Sequence, residues 1–320
     1  CSPDMPIDEN PGLVLGAVLG QAALNGRDKL TILTDPEIRS FGSWLEQLIA
    51  ESTGKQAKGI IPIDAEPPVA PSAYGQDRLF VYLRLSGKRA PEVDQLLKVG
   101  HPVITIALKD RYDLGAEFYR WEYATAVACA ILGVNSFDQP DVQDNKDRTK
   151  QKIQAWKQRG VLEEGDPIWE SAGAKVYGAP LPTTVQLNSL ADVLEDFLQQ
   201  AADGDYIALN AYLPRNQRTV CQLQTFRQRI LDKTGCATML GFGPRFLHST
   251  GQLHKGGPDT GLFIQITRDP PRDLEIPGQN MGFGTLQRAQ ALGDLEALQS
   301  RCRRVIRIHL LSDRLDSLSF

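Results

Sequence analysis

Polar residues in three stretches of the chain combine side-chain types and spacings that could move protons on a bound ligand. In the first stretch, Gln47 and Glu51 lie four residues apart on one face of a predicted helix, so both side chains can address the same ligand. Glu51 ends that helix and faces the negative end of the helix dipole. This position disfavours the anion and raises the basicity of the carboxylate toward what a general base needs near neutral pH.

The second stretch, residues 135–146, reads NSFDQPDVQDNK. Gln139 and Lys146 there flank a proline-bearing turn that begins the next predicted helix. A structural interpretation also exists for both stretches, because a helix-terminal glutamate such as Glu51 and a lysine such as Lys146 are usually solvated. The chemistry therefore depends on whether these residues come together.

The third stretch, residues 243–261, is rich in glycine and holds two of the four histidines, His248 and His254. One of these histidines could simply satisfy buried carbonyl groups. Six residues separate them and no carboxylate is near, which matches no common zinc-ligand pattern. The sequence therefore predicts no metal site here.

Several enzyme classes are excluded by missing motifs. The sequence contains no GxSxG nucleophile elbow, no phosphate-binding Walker loop and no HExxH metal motif. The glycine pair of GFGPRF is followed by Pro244, which spoils a dinucleotide fingerprint. Hydride transfer with a nicotinamide cofactor, ATP chemistry and metalloprotease activity are not expected, and no cofactor is predicted.

The composition is that of a soluble globular protein. The 320 residues are 42% hydrophobic and 23% charged, and the length predicts two domains. A net charge of -4 argues against binding to nucleic acid or to a membrane surface. The five scattered cysteines form no disulfide pattern, so we expect a reducing, cytoplasmic location. The chain begins at Cys1, and we interpret it as a piece of a longer polypeptide.

Apolar β-rich runs alternate with helical periodicity along the whole chain, which predicts an α/β fold with mainly parallel sheets. Predicted strands of residues 1–155, the first domain, are 29–35, 58–63, 78–85 and 102–108. Those of residues 156–320, the second domain, are 205–213, 236–242, 260–267 and 303–310. Gly12, Gly16 and Gly20 recur every four residues in the apolar run 11–24, which indicates a buried helix that another element approaches closely.

Taken together, WLEQLIAESTGKQAKG and GVNSFDQPDVQDNK resemble the glucose-6-phosphate isomerase family. That family has a Glu-Ser-x-Gly-Lys stretch with the catalytic glutamate, and a Phe-Asp-Gln run seven residues before the active-site lysine. The resemblance implies that Glu51 is the base and that Lys146 assists ring opening or neutralises phosphate. It further implies that Gln47, Ser52, Thr53 and Gln139 contact the substrate.

GFGPRFLHSTGQLHKGGP resembles the C-terminal extension of the bacterial chains that join a transaldolase to this isomerase. Residues 1–155 would then be the second sugar-isomerase (SIS, flavodoxin-like) lobe, and residues 156–320 the C-terminal α/β extension. The first isomerase lobe has no equivalent in the chain, so the resemblance implies that this missing lobe is a partner. A homodimer is also expected from the family.

One position departs from the family pattern. Asp77 stands in YGQDRLF, where the family has its ring-opening histidine, and an aspartate is anionic at neutral pH. His248, with Gln252 four residues later, echoes the family's His-x-x-x-Gln spacing. We therefore hypothesise that His248 supplies the ring-opening acid or base, with His254 as the second choice and a substrate contact.

The expected activity is the interconversion of glucose 6-phosphate and fructose 6-phosphate through a cis-enediol, a step of glycolysis and gluconeogenesis. The alternative is a non-catalytic sugar-phosphate-binding module that serves as a regulator or as an assembly partner. The set of Glu51, Gln47, Gln139 and Lys146 favours the enzyme, since a binding module needs no base. Asp77 favours the alternative, and the missing lobe leaves open whether the chain is active alone.

Overall fold

The computed structural model describes residues 1–2, 4–85, 87, 90–178 and 187–312. In chain order, the helices of these residues are α1 (Pro11–Leu24), α2 (Ser40–Thr53), α3 (Pro91–Lys98), α4 (Leu114–Leu132), α5 (Pro140–Arg159), α6 (Leu190–Leu198), α7 (Gln217–Thr234), α8 (Gly251–Gly256) and α9 (Phe283–Ser300). The strands are β1 (Lys29–Thr34), β2 (Ile61–Asp64), β3 (Arg78–Arg84), β4 (Val103–Ala107), β5 (Trp169–Glu170), β6 (Ala174–Gly178), β7 (Tyr206–Tyr212), β8 (Ala237–Phe242), β9 (Gly261–Arg268) and β10 (Arg304–Leu310). No helix among them has the length and apolar character needed to cross a bilayer.

The chain forms two compact α/β units, each with its own sheet. Unit 1 contains residues 1–139 and 249–259, and unit 2 contains the described residues of 140–248 and 260–312. Both sheets are mainly parallel, as the near-continuous apolar strands predict. The predicted fold class is confirmed.

In unit 1 the sheet order is β2-β1-β3-β4, with every pairing parallel. This is the start of the flavodoxin-like doubly wound order. Helix α2 packs on the sheet through Phe41, Leu45 and Ile49, which recur on one helix face and are buried.

The glycines of α1 lie where that helix meets α4. A Cβ atom added at Gly16 would lie 2.4 Å from the carbonyl oxygen of Ala124, and one at Gly20 would lie 2.9 Å from Cβ of Ile131. Only glycine permits so close an approach of the two helices. The close approach predicted from the glycine spacing is confirmed.

In unit 2 the sheet order is β5-β6-β10-β9-β7-β8. Strands β10, β9, β7 and β8 are parallel, whereas β5 and β6 add an antiparallel edge. The sequence analysis missed β5 and β6, because two and five residues are too few to show a reliable alternation.

The units divide at Gln139–Pro140, whereas the sequence analysis placed the boundary at residue 155, inside α5. The reason is that α5 packs against α9 of unit 2. Arg148 on α5 pairs with Glu296 at 3.2 Å, and Arg301 pairs with Asp141 at 2.6 Å. The sequence analysis also missed that residues 249–259 belong to unit 1.

Candidate active site

Glu51 and Gln47 lie on the last two turns of α2 in unit 1. The helix ends because Gly54 leaves the helical region of backbone space, with φ −74° and ψ 72°. Close packing also requires this glycine, since a Cβ atom there would lie 2.4 Å from Cα of Leu253. The end of α2, and therefore Glu51, is held in place by the packing of α8 on this glycine.

Lys55 connects the end of α2, which holds Glu51, to the stretch of residues 135–146. Its ammonium group, buried at the end of α2, donates to the carbonyl oxygen of Asn135 at 2.5 Å and pairs with Asp138 at 3.1 Å. Asn135 in turn accepts a hydrogen bond from the backbone N–H of Phe137 at 3.0 Å, which tightens the loop. These contacts hold the loop 133–139, which follows α4, against the end of α2.

The held loop brings Gln139 to Glu51. The amide nitrogen of Gln139 lies 3.4 Å from the carboxylate oxygen Oε2 of Glu51, and the side chain of Gln47 also hydrogen-bonds this carboxylate. The sequence analysis named these three residues, and the structure places them together within unit 1. The result is a half-buried carboxylate between two amide side chains.

The pKa of Glu51 is raised above its ordinary value, chiefly because burial disfavours the charged form. The hydrogen bond from Gln47 and the positive charge of Lys55 act in the opposite direction and do not cancel the effect of burial. The direction agrees with the sequence analysis, although the cause given there was the helix end. A carboxylate with a raised pKa in a partly dry site has the properties of a general base.

Ser52 and Thr53 differ in what they can offer to a ligand. Ser52 is partly exposed, whereas the hydroxyl of Thr53 is buried and already engaged. It donates to the carbonyl oxygen of Ile49 at 2.8 Å and accepts from the N–H of Ile60 at 3.0 Å. Thr53 therefore ties the residue that precedes β2 to the end of α2, and its substrate contact stays a prediction.

Lys146 and His248 belong to unit 2 and line one cavity of about 350 Å³ there. Both side chains are exposed, Lys146 on α5 and His248 at the end of the short helix Arg245–His248. Lys150 and Lys157 also line the cavity, and no aspartate or glutamate is among its lining residues. Such a cavity attracts anions.

His254 and Gln252 take structural positions. Both lie on α8 in unit 1 and are buried, with His254 only 2% exposed. Gln252 donates to the carbonyl oxygen of Gly54 at 3.0 Å, which fixes α8 to the end of α2. Of the His-x-x-x-Gln spacing noted in the sequence, His248 belongs to unit 2 and Gln252 to unit 1.

Asp77 and Glu122 are also explained structurally. The carboxylate of Asp77 lies 3.3 Å from the ammonium group of Lys29, which is 1% exposed and also pairs with Asp28. On α4, Glu122 is exposed, whereas Glu117 is buried and pairs with Arg120 at 3.2 Å.

The sequence analysis missed Lys55, Lys150 and Lys157. Lys55 is the last residue of the ESTGK stretch, and its motif position was the signal that could have identified it. Lys150 and Lys157 follow Lys146 by four and eleven residues, spacings that place all three on one face of a helix. That periodicity was readable from the sequence once α5 was recognised.

No protein-family profile matches the chain. Curated relatives with partial matches are glucose-6-phosphate isomerases. The one from Lactobacillus delbrueckii subsp. bulgaricus is 28% identical over 152 residues, which cover 35% of this chain and 34% of the relative. The one from Leptospira biflexa is 27% identical over 167 residues, covering 40% and 37%. The one from Pediococcus pentosaceus is 30% identical over 152 residues, covering 35% and 34%. The chain thus spans about a third of the length of these relatives.

Solved structures give weaker likenesses. A hypothetical protein from Thermus thermophilus covers 97% of this chain and 82% of its own, with 13% identity and a TM-score of 0.33. A putative sugar binding protein from Salmonella typhimurium covers 92% of this chain and 94% of its own, with 11% identity and a TM-score of 0.24. At these TM-scores the similarity of structure does not indicate a function. What the comparisons establish is a partial similarity of this chain to glucose-6-phosphate isomerases at low identity.

Proposed function

We propose that the chain carries the catalytic base of an aldose–ketose isomerase that interconverts glucose 6-phosphate and fructose 6-phosphate. The observation that carries this proposal is the carboxylate of Glu51, half-buried between Gln47 and Gln139 with a raised pKa. Isomerisation requires one group that removes a proton from C2 or C1 and returns it to the other carbon of the cis-enediol. Glu51 would perform both steps, while the two amides orient it.

Lys146 and His248 would serve the other parts of the reaction. Their shared cavity in unit 2 has the size of a small-ligand site, and the lysines around it suit a phosphate group. His248 would transfer the proton that opens the sugar ring, and Lys146 would neutralise developing or phosphate charge. The partial similarity to glucose-6-phosphate isomerases supports this assignment.

The proposed reaction moves only protons and needs no redox cofactor. Ser52 would contact the sugar, whereas His254 would act only if ligand binding exposed it. Since the chain spans about a third of its relatives, we propose that a separate isomerase lobe supplies further substrate contacts, with a homodimer as the assembly. A non-catalytic sugar-phosphate-binding module is the second candidate, favoured by Asp77, which pairs with Lys29 where the isomerase family has a histidine.

The replacement Glu51→Gln tests the proposal in this chain and in the longer parent polypeptide expected from the sequence. Glutamine keeps the shape of the side chain but cannot accept the proton, so kcat for fructose 6-phosphate in the parent should fall by about 10²- to 10⁴-fold. KM should change little, because the hydrogen-bonding partners remain. Coupled assays of glucose 6-phosphate formation measure both constants.

The matched control is Glu92→Gln, which makes the same change at an exposed position of α3. It should leave kcat and KM unchanged. A parent enzyme that keeps its activity with Glu51→Gln would overturn the catalytic assignment and leave the binding module as the better candidate. If the chain alone proved as active as the parent, the proposed dependence on a further lobe would be wrong.

A further inference from the structure

The sheet of unit 2 has a crevice where its parallel strands end. From β7 the chain passes through α7 to β8 on one side, and the later strands β9 and β10 lie on the other side of β7. In a parallel sheet, a crevice forms where the connections from two neighbouring strands run to opposite sides of the sheet. The crevice lies at the carboxyl ends of those two strands. Here those strands are β7 and β9.

The two faces of this sheet differ in polarity. The face toward α6 and α7 is apolar, with residues such as Leu209, Ile264 and Ile308 in one core cluster. On the other face, the alternate residues in the carboxyl-terminal halves of these strands are polar. They pair in register across β7, β9 and β10 as two rows, which are Asn210, Gln265 and Arg307, then Tyr212, Thr267 and His309.

All six side chains of these rows are buried, between 0% and 6% exposed. Burial of polar groups costs free energy unless each finds a partner. The second row lies at the carboxyl ends of the strands and lines the crevice. In the first row, Gln265 donates to the carbonyl oxygen of Ala291 at 3.0 Å and Arg307 pairs with Glu164, so these two side chains have partners within the protein.

Tyr212 carries a polar atom that the protein leaves unused. Its side chain is 2% exposed, and among the described residues its hydroxyl has no hydrogen-bond partner. The neighbouring Thr267 hydroxyl lies 3.1 Å from Nδ1 of His309. A buried hydroxyl without a partner requires a ligand or an ordered water at that point.

The crevice widens outward into a cavity of about 300 Å³. Asp269, Gly284 and Arg288 line both the inner part beside Tyr212, which has a volume of about 10 Å³, and this outer part, so the two adjoin. The guanidinium group of Arg288 lies 3.1 Å from the carboxylate of Asp269. Trp156, partly exposed, adds an aromatic surface to the outer wall.

The positive and negative side chains among the described residues that line this crevice are equal in number. Arg268 and Arg288 are balanced by Asp269 and Asp273 among the lining side chains. The pKa of His309 is lowered, first by burial and also by the nearby Arg307 and Arg288, although Asp269 opposes this. The imidazole is therefore neutral at pH 7. This lining contrasts with the lysine-rich cavity of Lys146 and does not favour an anion.

We propose that this carboxyl-edge crevice (Tyr212, Thr267, Asp269, Arg288 and His309) binds a small uncharged polyhydroxylated molecule, a free sugar or polyol. A ligand hydroxyl can both donate and accept a hydrogen bond. It can therefore bond to the Tyr212 hydroxyl whether that group acts as donor or as acceptor. The adjoining carboxylate and guanidinium of Asp269 and Arg288 suit neighbouring hydroxyl groups, and the C–H face of a sugar packs on Trp156. This site is separate from the residues proposed for isomerisation.

The test is calorimetric titration of the chain with D-glucose, D-fructose and myo-inositol, with inorganic phosphate as the anionic probe. At least one of the uncharged probes should bind with a Kd near or below about 1 mM. Tyr212→Phe removes only the unpartnered hydroxyl, so it should weaken that binding about tenfold. It should not lower Tm, because no hydrogen bond within the protein is lost.

Tyr206→Phe is the matched control, since Tyr206 is buried at the opposite end of the same strand, and this change should leave binding unchanged. Absence of saturable binding by every uncharged probe would overturn the proposal, as would equal affinity of Tyr212→Phe. Preferential binding of phosphate would overturn it too. If Glu51→Gln abolished sugar binding while Tyr212→Phe kept it, the sugar would occupy the isomerase site, and only this further inference would fail.

Discussion

Glu51 illustrates how the immediate surroundings of a side chain change its acid–base properties. It lies at the end of α2, is half-buried, and receives hydrogen bonds from Gln47 and Gln139. Burial raises its pKa more than Lys55 lowers it, since the ammonium of Lys55 is occupied by Asn135 and Asp138. The carboxylate is therefore more basic than a solvated glutamate.

The negative charge of Glu51 should lower the stability of the fold, whereas the proposed activity should require that charge. A carboxyl group whose pKa is raised in the folded state binds protons more strongly there than in the unfolded chain. Folding stability therefore falls as pH rises from the ordinary pKa of 4.5 through the raised value. Glu51→Gln should be at least as stable as the native chain at pH 7.5, and its advantage should shrink as pH falls toward 4.5.

Urea unfolding of both chains across this pH range measures the effect. The acidic limb of the proposed isomerase activity should also lie at higher pH than an ordinary glutamate would give, since the proposed base acts only when deprotonated. A variant that is less stable than the native chain at pH 7.5, with the deficit vanishing at low pH, would show that the charge of Glu51 stabilises the fold.

At this scale, helix spacing predicted that Glu51 and Gln47 share one face, and the family resemblance implied that Gln139 contacts the same substrate. The sequence did not predict which neighbouring polar groups form hydrogen bonds within the protein. Thr53 belongs to the same ESTGK stretch as Glu51, yet its hydroxyl is consumed by backbone partners on two elements. Such a distinction depends on tertiary contacts that spacing along the chain does not encode.

Helices and strands were predicted well where periodicity is long and unmixed. Buried parallel strands such as β7 are continuous apolar runs, and their positions agree with the structure to within a few residues. The short edge strands β5 and β6 were missed, and α8 was interpreted only as a polar, glycine-rich stretch. These elements owe their conformation to neighbours rather than to their own pattern.

Helix α8 sets the end of α2 through Gly54. A Cβ atom at this residue would lie 2.4 Å from Cα and 2.8 Å from Cβ of Leu253, and neither is the mobile end of a side chain. Gly54→Ala should therefore lower the free energy of unfolding by about 1–3 kcal/mol. Urea unfolding measures this loss.

Gly115→Ala is the control, because Gly115 lies in the first turn of α4 with no atom within 4 Å of an added Cβ. It should cost no stability, since alanine is the better helix former. If Gly54→Ala were as stable as Gly115→Ala, α8 would yield to the extra methyl group, and the end of α2 would not be fixed by this packing.

The whole chain divides into units that do not follow its linear order. The sequence analysis divided it once, at residue 155. The structure instead returns residues 249–259 to unit 1 from between β8 and β9. No change of composition marks this return, so a single-boundary interpretation could not find it.

The returning segment completes unit 1. Its Gln252 donates to the carbonyl oxygen of Gly54, the carbonyl oxygen of its Gly256 accepts from Ala57 at 2.9 Å, and its Leu253 is 0% exposed. A fragment of residues 1–139 should therefore lose about 3 kcal/mol or more, which corresponds to a Tm lower by roughly 10 °C. The reference is the same fragment with residues 249–259 joined through a flexible linker.

Thermal unfolding followed by circular dichroism compares the two fragments. A linked segment in which Leu253 is changed to Ala serves as the control, and it should recover only part of the stability. Equal Tm values for residues 1–139 with and without the segment would show that unit 1 is complete without it.

The return of residues 249–259 also has a consequence for the order of events on the ribosome. Unit 1 cannot reach its full stability until its last segment has been made, about 120 residues after Gln139. At roughly 5–20 residues per second this is a wait of about 6–24 s. During that interval the nascent chain exposes the surface around Gly54 and Gly59 that Leu253 later covers. Pulse-labelled synthesis should thus find this region sensitive to protease until residue 259 has emerged.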